Sequence, residues 1–199
     1  MLSANLPRLV SPVQKIKNIW PAIVIGLMLM ATAAVEHVEG RLWKCDCPSF
    51  FWTSDAWSSR TSQLFLDPYS FTHILHGFMF AGTLTLLIRS MSGSWRLATA
   101  IAIECCWEMI ENSNAVINRY REATAALGYH GDTVLNSMGD IVSCGLGFMI
   151  ATRLGWRWAI SFFVVIELAL TLWIRDSLLL EILMLIHPVN AIKAWQMGH

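Results

Sequence analysis

Imidazole, carboxylate and amide side chains recur within three apolar stretches of this 199-residue chain. The stretch "ECCWEMIEN" spaces Glu104, Glu108 and Glu111 at i, i+4 and i+7, which places them on one face of a helix. The stretches "SFTHILHGF" and "GDTVLNSMGD" carry polar residues at similar helical spacing. The whole set comprises His73, His76, Glu104, Glu108, Glu111, Asn112, Asp132, Asn136 and Asp140.

The chemistry of these side chains points to a divalent metal. Mixed His and carboxylate ligands suit Zn or another first-row metal, whereas carboxylate and amide oxygens alone suit Mg or Ca. The ion, such as Zn or Mg, is predicted to be held by His73, His76, Glu108 and Asp140. It would lower the pKa of bound water towards neutrality for attack on an ester or phosphoester.

A hydrolase-like site acting on a lipid or envelope substrate is the function that this pattern favours. Catalytic roles are predicted for Glu108, Glu111 and Asp140. Five further polar residues are predicted to bind substrate. They are Asn112, Arg119, Arg121, Asp132 and Asn136. The chain contains no named metal motif such as H-E-x-x-H, so the pattern leaves open whether it is an enzyme.

Two other functions would use the same residues. A protein that binds or transports a cation, a proton or a small molecule would use the acids as its site, with Glu167, Arg175 and Asp176 completing a path. A non-catalytic assembly factor would use the acids as interhelical hydrogen bonds and recruit partners through "PSFFWTSDAW". Metal analysis separates the enzyme from the assembly factor, and flux into liposomes identifies transport.

Five apolar runs must position these residues. The chain is 55% hydrophobic and 14% charged, whereas a soluble domain carries about a quarter charged residues. The runs cover residues 19–35, 71–88, 97–110, 134–151 and 158–174. We predict an all-α integral membrane protein, residues 1–199 forming one polytopic domain of about five transmembrane helices. The run "LLLEILMLI" predicts a short or re-entrant C-terminal helix, a tilted sixth span through Trp195 being the alternative.

The first run has a second interpretation as a secretory signal. The segment "ATAA" at residues 31–34 resembles a cleavage site with small residues. The long leader before the run favours a membrane span instead.

Lys plus Arg total 14 and Asp plus Glu total 14, so no net charge indicates a nucleic-acid partner. Membrane lipids are the predicted partners.

The distribution of basic residues predicts the orientation. Short segments rich in Lys and Arg near the ends of spans are typically cytoplasmic. Three such segments contain no acid, and their basic residues are Arg8, Lys15, Lys17, Arg89, Arg96, Arg153 and Arg157. The N-terminus is therefore predicted to be cytoplasmic in a bacterial inner membrane, with residues 36–70 as an extracytoplasmic loop. The three polar faces then lie at one depth, in the outer half of the membrane.

Reporter fusions test this topology. A periplasm-active reporter fused after Trp57 or after Tyr129 is expected to be active, and one fused after Met91 inactive. The reason is the acid-free basic segment that surrounds Met91. Measured reporter activity in the opposite pattern would invert the predicted depth of the polar residues.

The cost of charge in lipid predicts that the three polar faces converge. An acid at the centre of a lone spanning helix costs roughly 2.5 to 3.5 kcal/mol, so these faces should turn towards one another. Gly139, Ser143 and Gly147 are small residues at helical spacing that let two helices approach closely.

Four blocks of the sequence resemble an uncharacterised family of bacterial multi-pass inner-membrane proteins that is common in alphaproteobacteria. The blocks are "GRLWKCDC", "SQLFLDPYSFTHILHGF", "WEMIENSNAVINRYREATAALGYHGDTVLNSMGD" and "IRDSLLLEILMLIHPVNAIKAWQ". The resemblance runs from about Gly40 to Gln196, and departs from the family pattern at Cys47-Pro48 and Arg60-Thr61. It implies a cell-membrane location and no established activity. The polar residues on successive spans also resemble, more weakly, those of VanZ-like membrane proteins.

The cysteines indicate little about function. Cys105, Cys106 and Cys144 lie within apolar runs and are predicted to be small apolar fillers. Cys45 and Cys47 lie in the predicted extracytoplasmic loop, where a disulfide, a soft metal, pairing with another chain and free thiols all remain open.

Overall fold

The computed structural model describes residues 12–126 and 128–198, with side chains from Ile19 onward. These residues form eight helices, and the one β-bridge among them joins Trp52 and Leu66. The helices are α1 (Pro12–Val38), α2 (Ser70–Leu87), α3 (Gly93–Glu111), α4 (Asn114–Ala123), α5 (Val134–Leu154), α6 (Trp156–Ile174), α7 (Leu178–Ile186) and α8 (Asn190–Met197). The all-α prediction is confirmed. Arg8, one of the residues used for the orientation, lies outside the described residues.

Within the described part of the chain, four helical segments are long and apolar enough to cross a membrane. They are Ile19–Val38, Ser70–Leu87, Val134–Leu154 and Trp156–Ile174. The predicted third span corresponds to α3, which has 19 residues but carries Arg96 and three Glu. The prediction of about five apolar spans is therefore not confirmed. The acids of α3 turn inward, because α3 packs against α1 and α5 and buries Glu104 and Glu108 completely.

The closest pair of helices in the bundle is α2 and α5, and glycine makes this approach possible. A Cβ atom at Gly77 would overlap the backbone carbonyl oxygen of Cys144, and one at Gly147 would overlap that of Ile74. The two backbones are therefore in direct contact, as small residues allow between membrane helices. This contact brings the polar starts of α2 and α5 side by side.

The connection from residue 39 to residue 69 covers the end of the bundle at which α2 and α5 begin, here called the outer end. Its backbone carbonyls accept hydrogen bonds from the first amides of α5, Val134 N to Leu42 O at 2.9 Å and Leu135 N to Trp43 O at 3.1 Å. The side chain of Asn136 donates to Leu64 O at 2.7 Å. The two backbone bonds satisfy amides that a helix start leaves without an intrahelical partner.

The C-terminal run forms two helices instead of a sixth span. The nine residues of α7 end before His187 and Pro188, and α8 begins at Asn190. At 1.5 Å per residue α7 is about 13.5 Å long, too short to cross a hydrocarbon core of about 30 Å. The predicted short C-terminal helix is confirmed.

Charged side chains hold both ends of α7. Glu167 Oε2, on α6, accepts from Leu179 N at 3.3 Å. Arg119, on α4, donates from Nε to Leu185 O at 2.9 Å. Both contacts satisfy helix-end groups, and both match the sign of the helix dipole.

The cysteines divide into a bonded pair and single thiols. Cys45 and Cys47 are joined by a disulfide. Cys105 and Cys144 are buried, as expected of apolar fillers, whereas Cys106 is exposed on α3.

Candidate metal centre

His73 lies between carboxylates from two other helices. Its Nδ1 is 2.5 Å from Glu104 Oε1 and 3.3 Å from Glu108 Oε1, and its Nε2 is 3.9 Å from Asp140 Oδ2. The imidazole belongs to α2, the glutamates to α3 and the aspartate to α5. The structure thus brings together the polar faces of the three helices, and His73 is only 6% exposed.

Glu104 contacts both imidazoles. His76 Nδ1 is 3.1 Å and 3.0 Å from the two oxygens of Glu104, whose Oε1 also contacts His73 Nδ1. When Nδ1 carries the proton, this carboxylate orients each ring and leaves Nε2 as the basic nitrogen. Ligating histidines in metal sites are commonly fixed by such a carboxylate. Glu104 is not among the predicted site residues, although its helical spacing to Glu108 and Glu111 was a signal for it.

Among the described residues, two sets of three ligand atoms lie close enough to hold a metal ion. One set is His73, His76 and Glu104, the other is His73, Glu108 and Asp140, and the atoms of each set lie within 4.8 Å of one another. The predicted set of His73, His76, Glu108 and Asp140 is therefore divided between two groups that share His73. A centre with three protein ligands leaves positions for water or substrate, as catalytic zinc sites do.

Glu108 is the least compensated acid of the cluster. It is 0% exposed, and neither carboxylate oxygen has a hydrogen-bond partner. His73 Nδ1 lies 3.3 Å away, but this nitrogen is closer to Glu104 and carries at most one proton. A buried carboxylate without a hydrogen bond is costly unless a cation compensates it.

A cavity of about 1200 Å³ extends from the cluster towards the outer connection. Six of the predicted site residues line this cavity, whereas Glu108, Asn112, Arg119 and Arg121 do not. The six are His73, His76, Glu111, Asp132, Asn136 and Asp140. Ser70 Oγ donates to Asp140 Oδ1 at 2.8 Å, which orients this carboxylate at the edge of the cavity.

Asn112 and Asp132 form a buried pair that joins the end of α3 to the start of α5. Asn112 Nδ2 donates to Asp132 Oδ2 at 3.0 Å, and Asp132 N donates to Asn112 Oδ1 at 2.7 Å. Tyr129 OH also donates to Asp132 Oδ2 at 3.0 Å. Burial raises the pKa of Asp132 above its ordinary value. A substrate-binding role for either residue stays a prediction, and their contacts position the wall of the cavity.

The two arginines of α4 bind backbone carbonyls. Arg119 donates to Leu185 O and Arg121 donates to Tyr129 O, while Arg121 Nη2 also contacts His130 Nδ1. These contacts attach α7 and the segment before α5 to α4. Neither guanidinium lines the cavity. The role of the two arginines in substrate binding stays a prediction.

The sequence matches a known family over most of its length. Residues 36–198 match the family described as "Protein of unknown function (DUF2585)". A UPF0314 protein of Rhizobium meliloti (strain 1021) is 41% identical over 186 residues, which are 93% of this chain and 94% of the relative. A UPF0314 protein of Paracoccus denitrificans (strain Pd 1222) is 45% identical over 159 residues, 79% of this chain and 82% of the relative.

A third relative is a UPF0314 protein of Sphingopyxis alaskensis. It is 42% identical over 178 residues, which are 88% of this chain and 94% of the relative. No solved structure matches the chain. The four membrane-length apolar helices and the alphaproteobacterial relatives agree with the resemblance in the sequence blocks. The chain belongs to the DUF2585 family and is similar to UPF0314 proteins of alphaproteobacteria.

Proposed function

We propose that the chain is a membrane-embedded, metal-dependent hydrolase that acts on a lipid or envelope substrate. The observation that supports this most directly is the uncompensated carboxylate of Glu108 beside His73 and Asp140. A divalent cation held by these three residues would compensate Glu108 and bind Asp140 at the same time. Imidazole together with carboxylate is a ligand set of catalytic Zn and of other first-row metals.

The cavity supplies the second requirement of an enzyme, which is space for substrate next to the ligands. His73 and Asp140 line it, so an ion bound there would be open to the cavity. The metal would supply an activated water. Hydrolysis then joins the water oxygen to the acyl carbon or the phosphorus, and the leaving alcohol takes the proton. Glu104 would hold the His73 ring in place.

Passage of a proton or cation through the bundle has less support. Beyond the His and Glu cluster, α2, α3 and α5 are closed by an apolar cluster that includes Phe78, Leu84, Ala100 and Phe148. Glu167, the residue that would continue such a path on α6, accepts a hydrogen bond from the first turn of α7. The polar groups therefore collect around the cavity at the outer end.

Elemental analysis of protein purified without chelator tests the metal centre. About one divalent ion per chain is expected in the wild type and none in His73→Ala, because His73 belongs to both ligand sets. The matched control is His187→Ala, since His187 is exposed and lies outside the cavity. Wild-type protein that is metal-free and takes up no Zn, Mn or Mg on titration would end the metal proposal.

A further inference from the structure

The wall of the cavity is acidic, and among the described residues no Lys or Arg forms an ion pair with its carboxylates. Its acidic residues are Asp46, Glu111, Asp132, Asp140, Asp176 and Glu181, and Arg41 is the one Arg or Lys among the described lining residues. Arg41 donates to the backbone carbonyls of His130 and Glu39. Across residues 19–126 and 128–198, each ion pair of a carboxylate has His as its partner.

Two of these acids have no basic side chain as a partner among the described residues. Asp176 is 7% exposed, has no basic partner and lies near Glu167. Burial raises the pKa of Asp176 to about 7. Its carboxylate is 3.5 Å from Tyr69 OH, which also lines the cavity. Glu111 has a buried Oε2 without a hydrogen-bond partner. Asp176 accepts hydrogen bonds from Ser177 N and Tyr69 OH, and neither contact compensates its charge. A positively charged group in the cavity would pair with both acids.

Part of the cavity wall, here called the apolar end, is formed by α2 and α3. These helices share an apolar cluster in their inner halves, where Leu84 and Ala100 are buried together. Nearer the outer end Met79 and Phe80 on α2 and Ile103 on α3 line the cavity. Ile103 is 40% exposed, so this apolar end reaches the surface of the bundle.

The ring contacts mark where the acidic and apolar parts of the cavity meet. His76 and Trp107 lie edge to face with ring centroids 6.2 Å apart, and both line the cavity. His76 also contacts Phe80, with centroids 5.9 Å apart. A ligand that extends past this point would meet carboxylates on one side and apolar side chains on the other.

We propose that the cavity binds a membrane lipid whose headgroup carries a protonated amine, with the amine against Glu111, Asp176 and Glu181. An acyl chain lies along Met79, Phe80 and Ile103 and leaves the bundle between α2 and α3. This names the substrate class of the proposed hydrolase and therefore rests on that function. A lipid with an anionic headgroup and no amine would meet the acidic wall without compensation.

Lipid retention measured by native mass spectrometry tests the headgroup. Full-length protein is incubated in mixed micelles with equal amounts of phosphatidylethanolamine and phosphatidylglycerol. Wild-type protein is expected to prefer phosphatidylethanolamine by at least about tenfold, because the amine pairs with buried carboxylates. The double variant Asp176→Asn with Glu181→Gln is expected to lose this preference. The control Glu122→Gln, at an exposed position of α4 outside the cavity, is expected to keep it.

Two further arms separate a lipid from a soluble amine. Ile103→Trp fills the apolar end at a partly exposed position and is expected to reduce lipid retention while leaving the acidic wall intact. Free ethanolamine is expected to compete only weakly, since it lacks the acyl chain. Ethanolamine that binds as tightly as the lipid would show a soluble amine ligand and overturn the lipid proposal. Equal retention of the two lipids by the wild type would overturn it as well.

The variant His73→Ala distinguishes this proposal from the metal-dependent function. It is expected to lose the metal while keeping the preference for phosphatidylethanolamine, because His73 is not one of the acids that hold the amine. Lipid preference in a wild-type protein that binds no metal would leave the ligand standing and end the hydrolase proposal. Metal binding without any headgroup preference would end the lipid proposal alone.

Discussion

Glu108→Gln is expected to abolish activity and to weaken divalent-metal binding by at least about a hundredfold, while the amount of folded protein in the membrane stays unchanged. Glutamine keeps the shape of the side chain but removes the charge that binds a cation; loss of a residue that only orients a ligand already costs about 10- to 100-fold. The fold is spared because the lost carboxylate is buried without a hydrogen-bond partner. Metal titration of purified protein and complementation of a deletion strain measure the two effects.

Glu167→Gln is the matched control for this variant. Glu167 is also a buried glutamate with an unpartnered oxygen, but it lies on α6 outside both ligand sets. Its amide oxygen can still accept the hydrogen bond from Leu179 N. Metal binding is expected to be unchanged in this control. Loss of folded Glu108→Gln protein, with Glu167→Gln folded, would show that Glu108 has a structural role, as the assembly-factor alternative holds.

The convergence of three polar faces could be predicted from sequence because helical spacing and the cost of charge in lipid act in the same direction. The stripe of Glu104, Glu108 and Glu111 has to face protein, and α3 does pack its buried acids towards His73. The same acids make α3 fail as an apolar span. Hydropathy is therefore a poor guide to α3, because the polar side chains of the candidate site lower its mean hydropathy.

The division of roles among the three glutamates could not be predicted. Spacing places them on one face, but which carboxylate meets the two imidazoles depends on the rotation of α3 against α2. In the structure Glu104 contacts both His73 and His76, whereas the carboxylate of Glu108 has no hydrogen-bond partner. A rotation of one residue, about 100° at 3.6 residues per turn, would exchange the neighbours.

Contacts between segments that are distant in sequence also could not be predicted from local sequence patterns. Arg119 donates to a backbone carbonyl 66 residues further along the chain. Its proximity to the acids in sequence was therefore a weak guide to its partner in the fold. Helix α4 has ten residues, too few for a membrane span, and was not predicted. Glu36 was placed in the outer connection, yet α1 continues to Val38 and buries it completely.

The position of His73 beside Asp140 depends on how closely α2 approaches α5. Gly77 lies one turn after His73, and a Cβ there would meet the backbone of Cys144 and Phe148. Backbone atoms cannot move aside as the end of a flexible side chain can, so one helix would have to shift. Gly82, on the same helix, has open space around the corresponding position.

Gly77→Ala is therefore expected to lower the free energy of unfolding by about 3 kcal/mol and to weaken metal binding, because the shift separates His73 from Asp140. Gly82→Ala makes the same chemical change in open space and is expected to be neutral or stabilising by about 0.5 to 1 kcal/mol, the helix propensity of Ala over Gly. Thermal unfolding of both purified variants, together with metal titration, measures the difference. Equal stability of the two variants would mean that α2 and α5 are not in backbone contact, and the ligand set of His73, Glu108 and Asp140 would then lose its structural basis.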